Sequence, residues 1–121
     1  MDDRDAIVAT ITAYWEGWFD GDAERMRRAL HPALAKTGVG VEAQISRPMT
    51  ADEMVGWTGD GEGVAEKPAD FTYTITVNDA YQGIASATVH SGVYREYLHL
   101  VSTPEGWRIL NALYTRVGDA G

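Results

Sequence analysis

The chain has 121 residues, 45% of them hydrophobic, and 18 acidic against 10 basic side chains give it a formal net charge of −8. That length suits one domain with one core, and the charge argues against nucleic acid, because phosphates would be repelled with no basic stripe to offset the field. There is no cysteine, which excludes disulfides, thiol catalysis and thiolate metal sites together. The acidic start, Met1 to Val8, and the lack of any long apolar run predict a cytoplasmic protein without a signal peptide or membrane span.

From Arg4 to Phe19 the apolar residues Ile7, Ile11, Tyr14 and Trp18 recur at helical spacing, widened by Val8, Trp15 and Phe19, which predicts a long amphipathic helix. Gly21 stops it. Asp22 is placed to cap a second helix with Ala23, Met26, Ala29 and Leu30 on its buried side, and Pro32 closes that helix after His31. A short strand is expected near Val39 to Ile45. Thr50 and Glu53 form a capping box, with Met49 and Met54 as a hydrophobic staple, so a third helix starts there. Gly59 to Ala69, rich in glycine and acid, reads as an exposed, mobile loop.

Beyond that loop the period changes to two. Phe71, Tyr73, Ile75 and Val77 share one face, two more strands follow around Gly92, and a last strand runs from Trp107. Helices followed by an antiparallel meander give the α+β class.

Two stretches carry a resemblance. The opening AIVATITAYWEGWFDGDAERMRRALHP resembles the start of nuclear transport factor 2-like proteins. The closing YREYLHLVSTPEGWRILNALY is similar to the end of their putative lumazine-binding and SnoaL-like branches. The resemblance implies a cystatin-like, cone-shaped half-barrel: three N-terminal helices packed in a curved antiparallel sheet, with a deep pocket and a homodimer. It implies no single activity, because the superfamily holds isomerases, cyclases, dehydratases and binders.

Strand parity turns Tyr94, Glu96, Leu98 and Leu100 to the concave face with Trp107 and Asn111, while His90, Tyr97, His99, Leu110, Ala112 and Tyr114 face out. With Tyr14 and Trp18 from the first helix, and Trp57 and Tyr73 beside them, this predicts a cavity for a small hydrophobic or aromatic molecule. Glu96 is the leading chemical residue. Desolvation there suits a carboxyl to general acid or base work, and the competing reading pairs it with Arg108 or Arg116. Tyr14 either hydrogen-bonds a ligand oxygen or Glu96, or is a packed core tyrosine. Asn111 either orients a ligand or bonds across the sheet, and His31 either looks into the cavity mouth or simply suits a helix C-terminus.

Ketosteroid isomerases use a first-helix tyrosine and a strand acid, near where Tyr14 and Glu96 fall, together with an aspartate base after the second helix. Here that region reads AKTGVG, without an acid, so steroid-isomerase chemistry is not expected. The three histidines lack metal-ligand spacing, and no cofactor motif occurs. Two functions stand: a small-molecule-binding domain, or a cofactor-free SnoaL-like cyclase, isomerase or dehydratase using Glu96 as general acid/base. A third, an interaction module, would use the apolar outer sheet face, which is otherwise assigned to a homodimer.

Overall fold

The structure is a computed structural model that describes residues 3–118; the first two residues of the acidic start lie outside them. Four helices, α1 (Asp3–Asp20), α2 (Ala23–Ala29), α3 (Ala51–Gly59) and α4 (Glu62–Ala65), pack into a five-stranded sheet. Its strands are β1 (Leu30–Gly38), β2 (Tyr73–Tyr81), β3 (Ile84–Ser91), β4 (Tyr94–Thr103) and β5 (Gly106–Arg116). The spatial order is β1-β5-β4-β3-β2, and the two outer strands leave the sheet unclosed.

The helix signals act as the sequence foretells. Asp22 accepts a hydrogen bond from the backbone N–H of Arg25 at 3.1 Å, and Thr50 and Glu53 exchange the two bonds of a capping box at 3.1 Å each. Ile7, Ile11, Trp15 and Phe19 of α1 are buried against Val77, Ala85, Val89, Leu98, Leu100 and Ile109 of the sheet. Among the described residues no helix is long and apolar enough to cross a membrane.

Three expectations are corrected. The second helix ends at Ala29, and the chain passes directly into β1, so the strand expected near Val39 to Ile45 starts nine residues earlier. The 39–46 segment is irregular, holding one 3-10 turn and a single bridge between Val39 and Ile45. β1 runs parallel to β5, whereas the other pairings are antiparallel. Pro32 is tolerated because β1 is an edge strand whose pairing is interrupted between Leu30 and Ala35. The glycine-rich loop also contains α4, packed on α1. Gly63 allows that approach, since a Cβ there would collide with the backbone carbonyl of Trp18.

A fourth correction shapes the site. Gly92 lies in the short turn between β3 and β4 and leaves their register intact, so Glu96, Leu98 and Leu100 face inward as expected. An irregularity falls in the β4–β5 pairing. His99 pairs with Asn111 and Leu100 with Ile109, which leaves Leu110 as an extra residue. A bulge of this kind reverses the side-chain alternation beyond it. Trp107 and Ile109 point inward before it and Ala112 after it, while Asn111 and Leu113 turn out to solvent. Tyr114 and Arg116, two and four residues past Ala112, follow it to the concave side and line a cavity there.

Candidate functional site

Helix α1 fills much of the concave face with Ile7 and Ile11, so the space left open is confined to the end nearer α3 and α4. It is a cavity of about 340 Å³ walled by Tyr14, Trp15, Trp18 and Phe19 of α1, Met54 and Trp57 of α3, and Tyr94 and Tyr114 of the sheet. Lys36, Met49, Glu62, Glu66, Glu96 and Arg116 complete the lining, with exposed Glu62 on the solvent side. Aromatic rings meet edge-on around it: Trp15 against Tyr94 with centroids 6.3 Å apart, and Tyr94 against Tyr114 at 5.4 Å.

The deepest polar group of the lining is Glu96, 2% exposed between Tyr94 and Leu98 on the inner face of β4. Its Oε2 accepts a 2.6 Å hydrogen bond from the Tyr14 hydroxyl, and the same hydroxyl accepts one from Lys36 Nζ. Lys36 Nζ also stands 3.4 Å from Glu96 Oε2, closing a three-member network. The ammonium lies over the faces of Tyr14 and Tyr114, 5.0 and 4.7 Å from their centroids, where the negative ring face attracts a cation. Gly38, one turn of the pleat beyond Lys36, makes room for Tyr114, because a Cβ there would lie 2.7 Å from the ring. Burial, and then the Glu96 charge with its hydrogen bond, push the Tyr14 hydroxyl well above its ordinary pKa, so it keeps its proton and serves as a donor.

A second network closes the rim. Glu66, just past α4, accepts from Trp18 Nε1 at 2.8 Å and Tyr94 hydroxyl at 2.6 Å through Oε1, and from Arg116 at 3.1 Å through Oε2. One carboxylate thus ties α1, β4 and β5 together. Burial pushes its pKa up, but the donors from Tyr94, Trp18 and Arg116 outweigh that and hold it below the usual value. Burial and Glu66 push Tyr94 up strongly. Trp15 Nε1 is buried with no acceptor among the described residues, and an orphaned donor of this kind costs free energy until something bonds it.

Of the residues singled out in the sequence, Tyr14, Trp18, Trp57, Tyr94 and Glu96 lie together on the wall. The others do not. Asn111 is exposed and its side chain donates to the Leu110 carbonyl, because the bulge turned it outward. His31 sits in β1 rather than at a helix end, its Nδ1 accepting from the Ala33 backbone N–H at 3.0 Å. The Tyr73 hydroxyl donates to Glu16 at 2.6 Å outside the cavity, and burial followed by Glu16 raises its pKa to about 12. Trp107 is packed in the core, its carbonyl accepting from Thr10.

Neither arginine proposed for Glu96 is its partner. Arg108 reaches the Arg28 carbonyl, and Arg116 reaches Glu66 and Tyr94. Lys36, within the AKTGVG stretch, takes that place. In the structure Leu34, Lys36 and Gly38 alternate on the buried face of β1, but a lysine between a leucine and a glycine carries no local signal of burial. Among the described residues no cluster of three or more His, Cys, Asp or Glu could hold a metal ion.

Residues 2–115 match the family described as putative lumazine-binding, and the chain belongs to it. A search of curated proteins returned no match. The fold is similar to solved structures of nuclear transport factor 2-like proteins of unknown function. One, from Methylobacillus flagellatus, has 17% identity and a TM-score of 0.72 over 96% of this chain and 93% of that one. Another, from Silicibacter pomeroyi, has 17% identity and a TM-score of 0.71 over 92% of each. A ketosteroid isomerase-like protein from Erwinia carotovora atroseptica shares 16% identity with a TM-score of 0.64, over 93% and 95%. The chain thus has the nuclear transport factor 2-like fold.

The buried network yields a stability ranking. Lys36→Met strands a carboxylate and should cost about 3–5 kcal/mol in urea unfolding, against about 1–3 kcal/mol for Tyr14→Phe. A Lys36→Met/Glu96→Leu double variant should return close to wild type. A Lys36→Met cost no larger than that of Tyr14→Phe would show that the pair is not desolvated.

Proposed function

We propose that the protein is a small-molecule-binding domain whose cavity takes a planar, mainly apolar ring compound bearing hydrogen-bond acceptors. The observation that carries this is the 340 Å³ cavity itself, walled by three tryptophans with polar groups at its floor and rim. Flat rings match such walls, burial supplies affinity and a few polar groups supply orientation. Charge supports a guest without negative charge, since both cations of the lining are already paired, Lys36 with Glu96 and Arg116 with Glu66. The unbonded Trp15 N–H supports an acceptor on the ligand. Lumazine, named in the family's description, is a planar fused two-ring heterocycle whose two carbonyls and ring nitrogens meet the planarity and acceptor terms, although it is more polar than the walls alone call for. Tyr14, Glu96, Trp18, Trp57 and Tyr94 are the contacts we assign to the ligand.

A second reading, a cofactor-free SnoaL-like cyclase, isomerase or dehydratase with Glu96 as general acid/base, is favoured by one observation: a carboxylate and a phenol share a 2.6 Å bond on a cavity wall. We also propose a cytoplasmic homodimer formed through the outer sheet face. Tyr97 and Leu113 are exposed there to 50% and 47%, alongside His90, His99 and Leu110. Tyr114, first placed on that face, is not part of it.

Thermal shift with lumazine and a panel of planar bicyclic compounds tests the binding reading. A ligand at one hundred times its Kd adds about 2.7 kcal/mol, which is roughly 10 °C in Tm for a domain of this size. Trp57→Ala should abolish the rise, and a panel that never raises Tm sinks the reading. For the enzyme reading, Glu96→Gln should remove turnover of an identified substrate while retaining affinity; full retained turnover excludes it. Light scattering should give a dimer that Tyr97→Glu converts to monomer, and a wild-type monomer at high concentration rejects the interface.

A further inference from the structure

We propose that Lys36 forms a reversible imine with planar aromatic aldehydes or ketones that enter the cavity. This rests on the reading of the cavity as a small-molecule site and names a class of guest for it. The chain has two lysines. Lys67 is exposed, with its ammonium on Asp20 at 2.8 Å. Lys36 is 8% exposed and on the cavity wall, so a carbonyl carbon held between the aromatic walls lies within reach of its nitrogen.

An amine needs three things to condense with a carbonyl: a base to free its lone pair, a proton for the carbonyl oxygen, and a medium from which water leaves. Glu96 Oε2, 3.4 Å from Nζ, is the base. The Tyr14 hydroxyl, bonded to both Lys36 and Glu96, is the proton relay. Trp15, Phe19 and Met54 supply apolar walls. Once a guest excludes water, desolvation acts against the Lys36–Glu96 charge pair and in favour of its neutral form.

The steps balance. The Lys36 ammonium gives one proton to Glu96. The freed nitrogen pair attacks the carbonyl carbon, the C=O π pair moves to oxygen, and a second nitrogen proton reaches that oxygen through Tyr14. Glu96 then returns its proton to the hydroxyl, which leaves as water while the nitrogen pair closes the C=N bond. Ammonium plus carbonyl has become iminium plus water, and Glu96 is again a carboxylate. The product is a cation, and the faces of Tyr14 and Tyr114 that hold the ammonium are placed to hold it.

The test incubates the protein with 2-naphthaldehyde and sodium cyanoborohydride, which reduces an imine to a stable amine, and maps adducts by peptide mass spectrometry. Lys36 should be labelled at least about tenfold faster than Lys67 or the amino terminus, as proximity in a bound complex demands. Equal rates, or labelling first at Lys67 or the amino terminus, overturn the proposal. Naphthalen-2-ylmethanol, which cannot form an imine, separates the two readings. If the alcohol raises Tm and Lys36 stays unlabelled, the imine is wrong and the cavity reading stands; if it neither raises Tm nor slows labelling, the cavity reading fails and takes this proposal with it. Glu96→Gln, checked for folding by circular dichroism, should label slowly at Lys36, and a wild-type rate rejects Glu96 as the base. Should that variant not fold, the wild-type ratio of Lys36 to Lys67 labelling decides.

Discussion

A buried carboxylate has lost its water, and the loss costs several kcal/mol unless a cation and a donor are buried with it. Glu96 meets that condition through Lys36 and Tyr14, which come from a strand and a helix distant in the chain. At 3.4 Å the ion pair returns about 5 kcal/mol at an effective dielectric constant near 20, so it roughly offsets its own desolvation and adds little net stability. What it provides is position. Three elements must meet within hydrogen-bonding distance for the acid to stay buried, and the polar floor of the cavity is set by that requirement.

The bulge at Leu110 serves the same end. Without it Tyr114 and Arg116 would face outward, and Lys36 would lose the ring under its ammonium while Glu66 would lose its cation. The extra residue therefore decides which side chains of β5 make up the wall. Gly38 and Gly63 make the complementary concession on the other side, each giving up a side chain so that Tyr114 and Trp18 can close in.

The cavity is thus held by two carboxylates with opposite settings. Glu96 is sealed at the floor, while Glu66 is half-buried at the rim and gathers donors from α1, β4 and β5. The floor carboxylate borders the cavity, whereas the rim carboxylate links the end of the short helix to α1 and the sheet. That division is consistent with a family fold that keeps its scaffold and varies its pocket.

Local rules in the sequence settled the helix caps at Asp22 and Thr50, the amphipathic face of α1, the alternation that buries Glu96, and the α+β class, because each depends only on residues a few positions apart. They also reached Tyr14 as a partner for Glu96. Lys36 was beyond them, since a lysine in an irregular segment looks like surface until β1 pairs in parallel with β5 and carries it inward. Asn111 and Tyr114 exchanged faces for a related reason: one unpaired residue reverses every side chain after it, and nothing in the run ILNALY marks which residue goes unpaired. Tertiary structure decided those points, because register is set by the packing of both faces of the sheet at once and not by the strand alone.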